Sequence, residues 1–223
     1  MDHYNYFSKD GRTVDRYAND EATIHAFDVL ANMTKTGAAL PSISDGSMAE
    51  ESDLFIGGRL AMIIADNFTV LEMAETAGLN YGVAPVPAET SGEEVWVSSW
   101  TDAFGAFKTS PNVDAALKFL EFVAKEGSRL QMETTGALPL NLKIAEDANW
   151  AGASAGREEM LDVLRHSRPT LFTPGFWDVT IPLEDAYNNI VDGIQTAEEA
   201  LNEAAPRMQD LLDQAWETWE ALD

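Results

Sequence analysis

Acid–base chemistry in this chain would have to come from its carboxylates, which stand in adjacent pairs at Glu50-Glu51, Glu93-Glu94, Glu158-Glu159 and Glu198-Glu199. A glycosidase needs two carboxylates, one to protonate the leaving oxygen and one to act as nucleophile or base. Each pair here falls in a loop or on a helix face expected to be solvated, and among 38 Asp and Glu such neighbours arise by chance. His3, His25 and His166 have no metal-ligand spacing and read as surface or locally hydrogen-bonded residues. The chain has no cysteine, which excludes disulfides, thiol catalysis and Cys-ligated zinc. With no P-loop and no G-x-G-x-x-G, nucleotide binding is unsupported and no cofactor is expected.

The aromatic residues carry more information. Trp96, Trp100, Trp150, Phe176 and Trp177 fall in or beside predicted loops and strand ends, whereas Trp216 and Trp219 lie on the last helix. A flat apolar ring can cover the C–H face of a sugar while Asp and Asn bind its hydroxyls, and the same ring can equally plug a gap in a fold. Pattern alone leaves both readings open.

The net charge of -24 narrows the partners. No basic stripe exists to meet a phosphate backbone, so a nucleic-acid partner is excluded. The acids are spread along the chain rather than gathered in a tail, which points to a surface adapted to high salt, where charges are screened within a few ångströms. A calcium array is not supported, because the D-x-[DN]-x-[DN]-G loop is absent.

Several elements must position these residues. Apolar Ile24, Phe27, Leu30 and Ala31 recur at helical spacing from Asn19 or Asp20 to Thr36, before Gly37 and Pro41. The stretch "LFIGGRLAMIIADNF" places an apolar run, Leu60 to Ala65, between Gly57-Gly58-Arg59 and Asp66-Asn67. That run reads as a strand buried on both faces, followed by a helix that Asp66-Asn67 caps and Gly78 ends. Tyr81 to Pro87 suits a strand end or edge, and Val95 to Phe107 holds one or two strands with a bend near Thr101-Asp102. A helix is expected from Ser110-Pro111 with Ala116, Phe119, Leu120 and Val123 buried, then a short one from Ser128 to Thr135-Gly136. Met160, Leu161 and Leu164 mark another helix, ended by Arg168-Pro169. "TPGFWDVTIP" reads as a loop. Thr196 to Glu199 is a capping box opening a long helix whose stripe is Leu201, Ala205, Met208, Leu212, Ala215 and Trp219, with a bend at Pro206.

Taken in order, "LFIGGRLAMIIADNF", "NYGVAPVPAE", "FGAFKTSPNVDAALKFLEFVAKEGSRLQMETTGALPLN" and "GIQTAEEALNEAAPRMQDLL" resemble the extracellular solute-binding proteins of ABC importers. The likeness is to the carbohydrate-binding, maltose-binding-protein-like branch, and it runs from about Asn19 to Leu212. It implies an α/β, helix-rich fold of the periplasmic-binding-protein type II class, with two lobes that trap ligand between them and an N-terminal part missing. The first segment of the second lobe would span 1–94, the returning segment of the first lobe 95–138, and the rest of the second lobe 139–223. On that pattern Phe68 falls where the family places a sugar-stacking aromatic, with Asp66 and Asn67 at the same rim. Trp100, Thr101 and Asp102 face the cleft just after the crossing, and Phe176 and Trp177 line its far side. Phe68 stands where tryptophan is more usual, and "SSWTD" replaces a glycine-rich segment.

The resemblance implies a non-enzymatic receptor that hands a sugar or oligosaccharide to ABC permease subunits. It would be extracellular or periplasmic, a monomer, and anchored to the membrane through the missing N-terminal region. A cationic solute such as a polyamine is the alternative ligand, and a glycoside-processing enzyme the alternative activity.

Overall fold

The computed structural model describes residues 6–40, 49–65, 77–87, 97–99, 103–135, 137–138, 142–147, 150–153 and 156–222. They belong to two compact units, one made of residues 1–45 with 170–223 and the other of residues 46–169.

Three helices are described in the first unit. Helix α1 (Glu21–Lys35) starts where Asp20 accepts a hydrogen bond from the Thr23 N–H, and stops at Thr36 before Gly37. Phe27 and Ala31 are buried and Ile24 packs beside them, as the helical spacing predicts, but Leu30 is exposed. The buried arc is thus narrower than the sequence stripe. Helices α7 (Phe176–Val191) and α8 (Ala197–Glu220) pack along each other and against α1. Val179, Leu183, Ala186 and Ile190 of α7 meet Leu201, Ala204, Ala205, Met208 and Leu212 of α8, and the Thr34 and Tyr187 hydroxyls bond at 2.9 Å.

Two expectations change here. "FWDVTIP" is the first two turns of α7 rather than loop, although Pro182 lies inside the helix. Proline removes an interior hydrogen bond, but Pro182 is buried, and its apolar contacts offset that loss. At the other end Trp219 leaves the α8 stripe and is 58% exposed. Trp216 docks instead, because its Nε1–H reaches the Gly11 carbonyl at 2.9 Å and the Arg12 guanidinium lies 4.1 Å from its ring centroid. The same loop is tied to α8 by Val14 N–H donating to Gln209 Oε1 (2.8 Å) and by Gln209 Nε2 donating to the Arg12 carbonyl (3.0 Å).

Helix α8 opens with the capping box the sequence predicts. The Glu199 N–H donates to Thr196 Oγ1 at 3.2 Å, and the Thr196 N–H donates to Glu199 Oε2 at 3.0 Å. Thr196→Ala should therefore cost about 1 kcal/mol in denaturant unfolding. The Thr196 N–H, then its hydroxyl, hold the Glu199 carboxyl below its ordinary value of 4.5. A carboxyl lowered in the folded state stabilises the fold above the unfolded value, and that contribution is lost as pH falls through the folded one. Below about pH 4.5 the wild-type melting temperature should fall more steeply than that of Thr196→Ala.

The second unit holds the single ladder among the described residues. Strands β1 (Val97–Ser99) and β2 (Ser167–Pro169) pair in parallel, with Val97 opposite Ser167 and Ser99 opposite Pro169. Helix α2 (Ala49–Ile56) ends at Gly57. Helix α3 (Val113–Phe122) runs through a π-helical turn, Val123–Gly127, into α4 (Ser128–Thr135). The expected start at Pro111 is a turn, and α3 begins after Asn112. Helix α5 (Leu142–Asp147), a 3-10 turn (Ala151–Ala153) and α6 (Arg157–Arg165) follow among the described residues.

Its core is Met132, Ala145 and Trp150, packed by Tyr81, Leu138, Ile144, Met160 and Leu161. Trp150 is thus a core ring, with the Arg157 guanidinium 5.0 Å from its centroid. The stripe expected on α3 is not buried, and Phe119 faces solvent. Residues 60–65 form no strand, and Met62 and Ile64 are 85% and 78% exposed. A strand needs a hydrogen-bonded neighbour, and none pairs with this run among the described residues. Tyr81 to Pro87 is likewise without a ladder, its Tyr81 turned to the core.

Candidate functional site

An aromatic cluster stands at the start of α7 among the described residues of the first unit. The chain reaches it through Thr170 to Pro174 and turns at Gly175, whose φ of +64° is left-handed. A Cβ on Gly175 would stand 2.9 Å from that of Ala215, so glycine lets α7 begin hard against α8. Gly11, with φ +69°, has the same relation to the Thr173 methyl at 2.9 Å. The two close approaches clamp the loop between the 8–12 turn and α8.

Phe176 enters this clamp. Its ring lies 5.9 Å from the fully buried Phe7, 4.9 Å from Phe172 and 5.2 Å from Trp177, the last two edge to face. Such pairs are the favoured aromatic geometry and fix ring orientation. Phe176 is half-buried against the core, while Trp177 is 62% exposed and Phe172 50% exposed. Anchor and display are therefore divided between adjacent residues.

Phe172 is a ring that sequence reasoning missed. It sits between Leu171 and Thr173 in an irregular stretch, where no periodicity separates an inward ring from an outward one. Asp66, Asn67, Phe68, Trp100, Thr101 and Asp102, the other predicted ligand residues, lie outside the described residues.

An open recess of about 990 Å³ on the same unit is lined by Asp15, Arg16, Tyr17, Asp20, Glu21 and His25 among others. Its polar groups hold the fold together. Asn19 accepts from the Arg16 N–H and donates to Asn202, and Asp20 caps α1. In the second unit Gly152-Ala-Ser-Ala-Gly156 has the spelling of a nucleophile elbow, which requires a strand feeding a helix. A 3-10 turn precedes α6 instead, and Ser154 lies outside the described residues. No group of three His, Asp or Glu suited to a metal occurs among the described residues, and no helix there is long and apolar enough to cross a membrane.

Comparison with known proteins sets this geometry in a family. The sequence profile of the bacterial extracellular solute-binding proteins matches residues 2–157. The galactooligosaccharide-binding protein of Bacillus subtilis strain 168 is 27% identical over 153 residues, which are 68% of this chain and 36% of that protein. Among solved structures, the sugar-binding protein MalE of Xanthomonas citri superposes with a TM-score of 0.75 at 19% identity, over 99% of this chain and 55% of that one. The GacH receptor of Streptomyces glaucescens, solved unliganded and with acarbose, gives 0.73 at 20% identity over 94% and 54%. The fold is accordingly the helix-rich, type II periplasmic-binding-protein-like α/β fold. The chain spans about a third of the curated relative and about half of the solved ones.

Proposed function

The chain belongs to the bacterial extracellular solute-binding protein family, and from that membership we propose that it is part of a receptor that captures a sugar or oligosaccharide and delivers it to an ABC permease. The receptor works outside the cell membrane, in the extracellular space or periplasm, as a monomer anchored through its N-terminal region, and catalyses no reaction. The observation that carries the reading is the displayed ring of Trp177, 62% exposed yet fixed at its base by Phe176. A ring packed at its base supplies apolar contact to a sugar face at reduced ordering cost. The relative whose printed name is a galactooligosaccharide-binding protein supports the ligand class.

Asp66, Asn67 and Asp102 are proposed to bind hydroxyls, Phe68 and Trp100 to stack, and Thr101 to sit beside them. Residues 95–138 are proposed to return to the first lobe and the flanking segments to build the second. The exposure of Phe104, Phe107, Phe119 and Phe122, all within 95–138, is in keeping with the first of these assignments.

The test is sugar titration of the full-length protein with and without Trp177→Ala. Loss of one stacking face should weaken binding by about tenfold or more, the equivalent of roughly 1.4 kcal/mol, with the melting temperature unchanged. Unaltered affinity for every sugar that binds would remove Trp177 from the site.

A further inference from the structure

We propose that Ala215 of α8 is a positioning residue of the binding site, setting through its close approach to Gly175 where the ring of Trp177 stands and thereby the affinity for sugar. The inference rests on the sugar-receptor reading and adds to it a control point on a different helix.

Two adjacent residues of α8 brace the loop that leads into α7. A Cβ added at Gly175 would stand 2.9 Å from the Cβ of Ala215, so the start of α7 is seated directly on that methyl group. Trp216, the next residue, donates from Nε1 to the Gly11 carbonyl at 2.9 Å, and a Cβ on Gly11 would meet the Thr173 methyl at 2.9 Å. Thr173 and Gly175 are thus held from the same turn of α8. From there the path to the ring is short. The Phe176 N–H donates to the Thr173 carbonyl at 3.2 Å, and the Val179 N–H donates to the Gly175 carbonyl at 2.9 Å. The Phe176 ring lies 5.9 Å from Phe7, which has no exposure, and Trp177 is the residue after it. A displacement of Gly175 is therefore carried into the first turn of α7, where Trp177 stands.

The contact sets the size of that displacement. Two carbons prefer a separation of about 3.5–4.0 Å, so a methyl group at position 175 would push the start of α7 off α8 by roughly 0.6–1.1 Å. Ala215 cannot turn aside, because its Cβ has no alternative rotamer. A binding group has to be held within about 0.5 Å of its productive place, so the shift registers in affinity. Removing the methyl group of residue 215 clears the obstruction, but the left-handed φ of +64° still disfavours alanine at 175. Position and stability are therefore separable at this contact.

The experiment is calorimetric titration of the full-length protein with maltotetraose and with galactotetraose, comparing wild type, Gly175→Ala, Ala215→Gly and the double variant. The melting temperature and the indole N–H resonance of Trp177 are recorded for each. Gly175→Ala should bind about tenfold more weakly with the Trp177 resonance shifted, and Ala215→Gly should stay within about twofold of wild type. The double variant should recover to within about threefold and return the resonance. Its melting temperature should nonetheless be the lowest of the four, since it combines a left-handed alanine with a glycine inside a helix. A merely structural role predicts the reverse, with the least stable variant the weakest binder. That result, or unchanged affinity in Gly175→Ala, overturns the proposal and leaves the receptor reading standing. If Gly175→Ala does not fold, Ala215→Val crowds the same contact from the α8 side and should give a similar loss, and wild-type affinity there overturns the proposal. Failure of the wild type to bind either sugar would count against the receptor reading itself. The resonance then decides the positioning, which a shift restored in the double variant supports and an unmoved signal overturns.

Discussion

Leu201→Ala is expected to lower the stability of the first unit by about 2–5 kcal/mol, the span measured when a buried leucine is cut to alanine. Leu201 has no exposure and lies on the face of α8 that meets α7 and α1, with Leu183, Ala186 and Ile190 in the same cluster. The removed methyl groups lose their transfer free energy, and the void persists because three helices hold its walls apart. At this chain length each kcal/mol moves the melting temperature by roughly 2–4 °C, so a scanning calorimeter would resolve the change. Trp219→Ala is the matched control. Although larger in sequence terms, Trp219 is mostly in water and its truncation should stay within about 0.5 kcal/mol. Equal effects at the two positions would mean that α8 is not docked through the Leu201 face.

Salt should act on the whole chain with an effect of similar size. Raising KCl from 0.1 M to 2 M is expected to raise the melting temperature on the order of 10 °C. The formal charge is -24, and α8 shows how it is arranged. Glu199, Glu203, Asp210, Asp213 and Glu217 are all exposed and follow one another at three, four or seven residues along one face. Like charges at those spacings repel. Glu217 and Glu220 also lie in the last turn, where the helix dipole favours cations. Relief is sparse, because the helix has Arg207 as its one base, and that side chain reaches across to Asp185 at 3.0 Å. Arg12 pairs with Glu220 at 2.7 Å, half-exposed on both sides. Between these salt concentrations the screening length falls from about 10 Å to below about 3 Å, which removes most of the repulsion and little of the buried contact energy. NaCl should match KCl at equal ionic strength, while sucrose should give much less. A melting temperature flat in salt would show that the acids are not a net load on the fold.

Signals that a few neighbouring residues complete by themselves were legible in the sequence. The Thr196–Glu199 box and the Asp20 cap each need only a side chain and an N–H three residues on, and both formed where expected. Helices around Met160 and after Ser128 are similarly local. What failed depended on partners distant in the chain. Leu60 to Ala65 looks like a buried strand until one asks what it pairs with. Spacing places Trp219 on the α8 stripe, but the Gly11 carbonyl, 205 residues away in the chain, makes Trp216 the ring that docks. Trp150 looked like a loop aromatic and is core, because Met132 and Ala145 close over it. At the candidate site Trp177 was singled out by the resemblance, whereas Phe172 had no such signal, since no periodicity tells which way a ring turns in an irregular stretch and its packing on Phe176 appears only in the fold.

The most direct test of the central claim is a thermal-shift screen of the full-length protein at high salt against neutral oligosaccharides and polyamines. A ligand that binds only the folded state raises its melting temperature, by the equivalent of about 2.7 kcal/mol at a hundredfold excess over Kd. A neutral sugar is expected to give a shift that survives changes in salt, since no charge pairing is involved. A shift with polyamines alone, fading as salt rises, would keep the fold and contradict the sugar-binding claim.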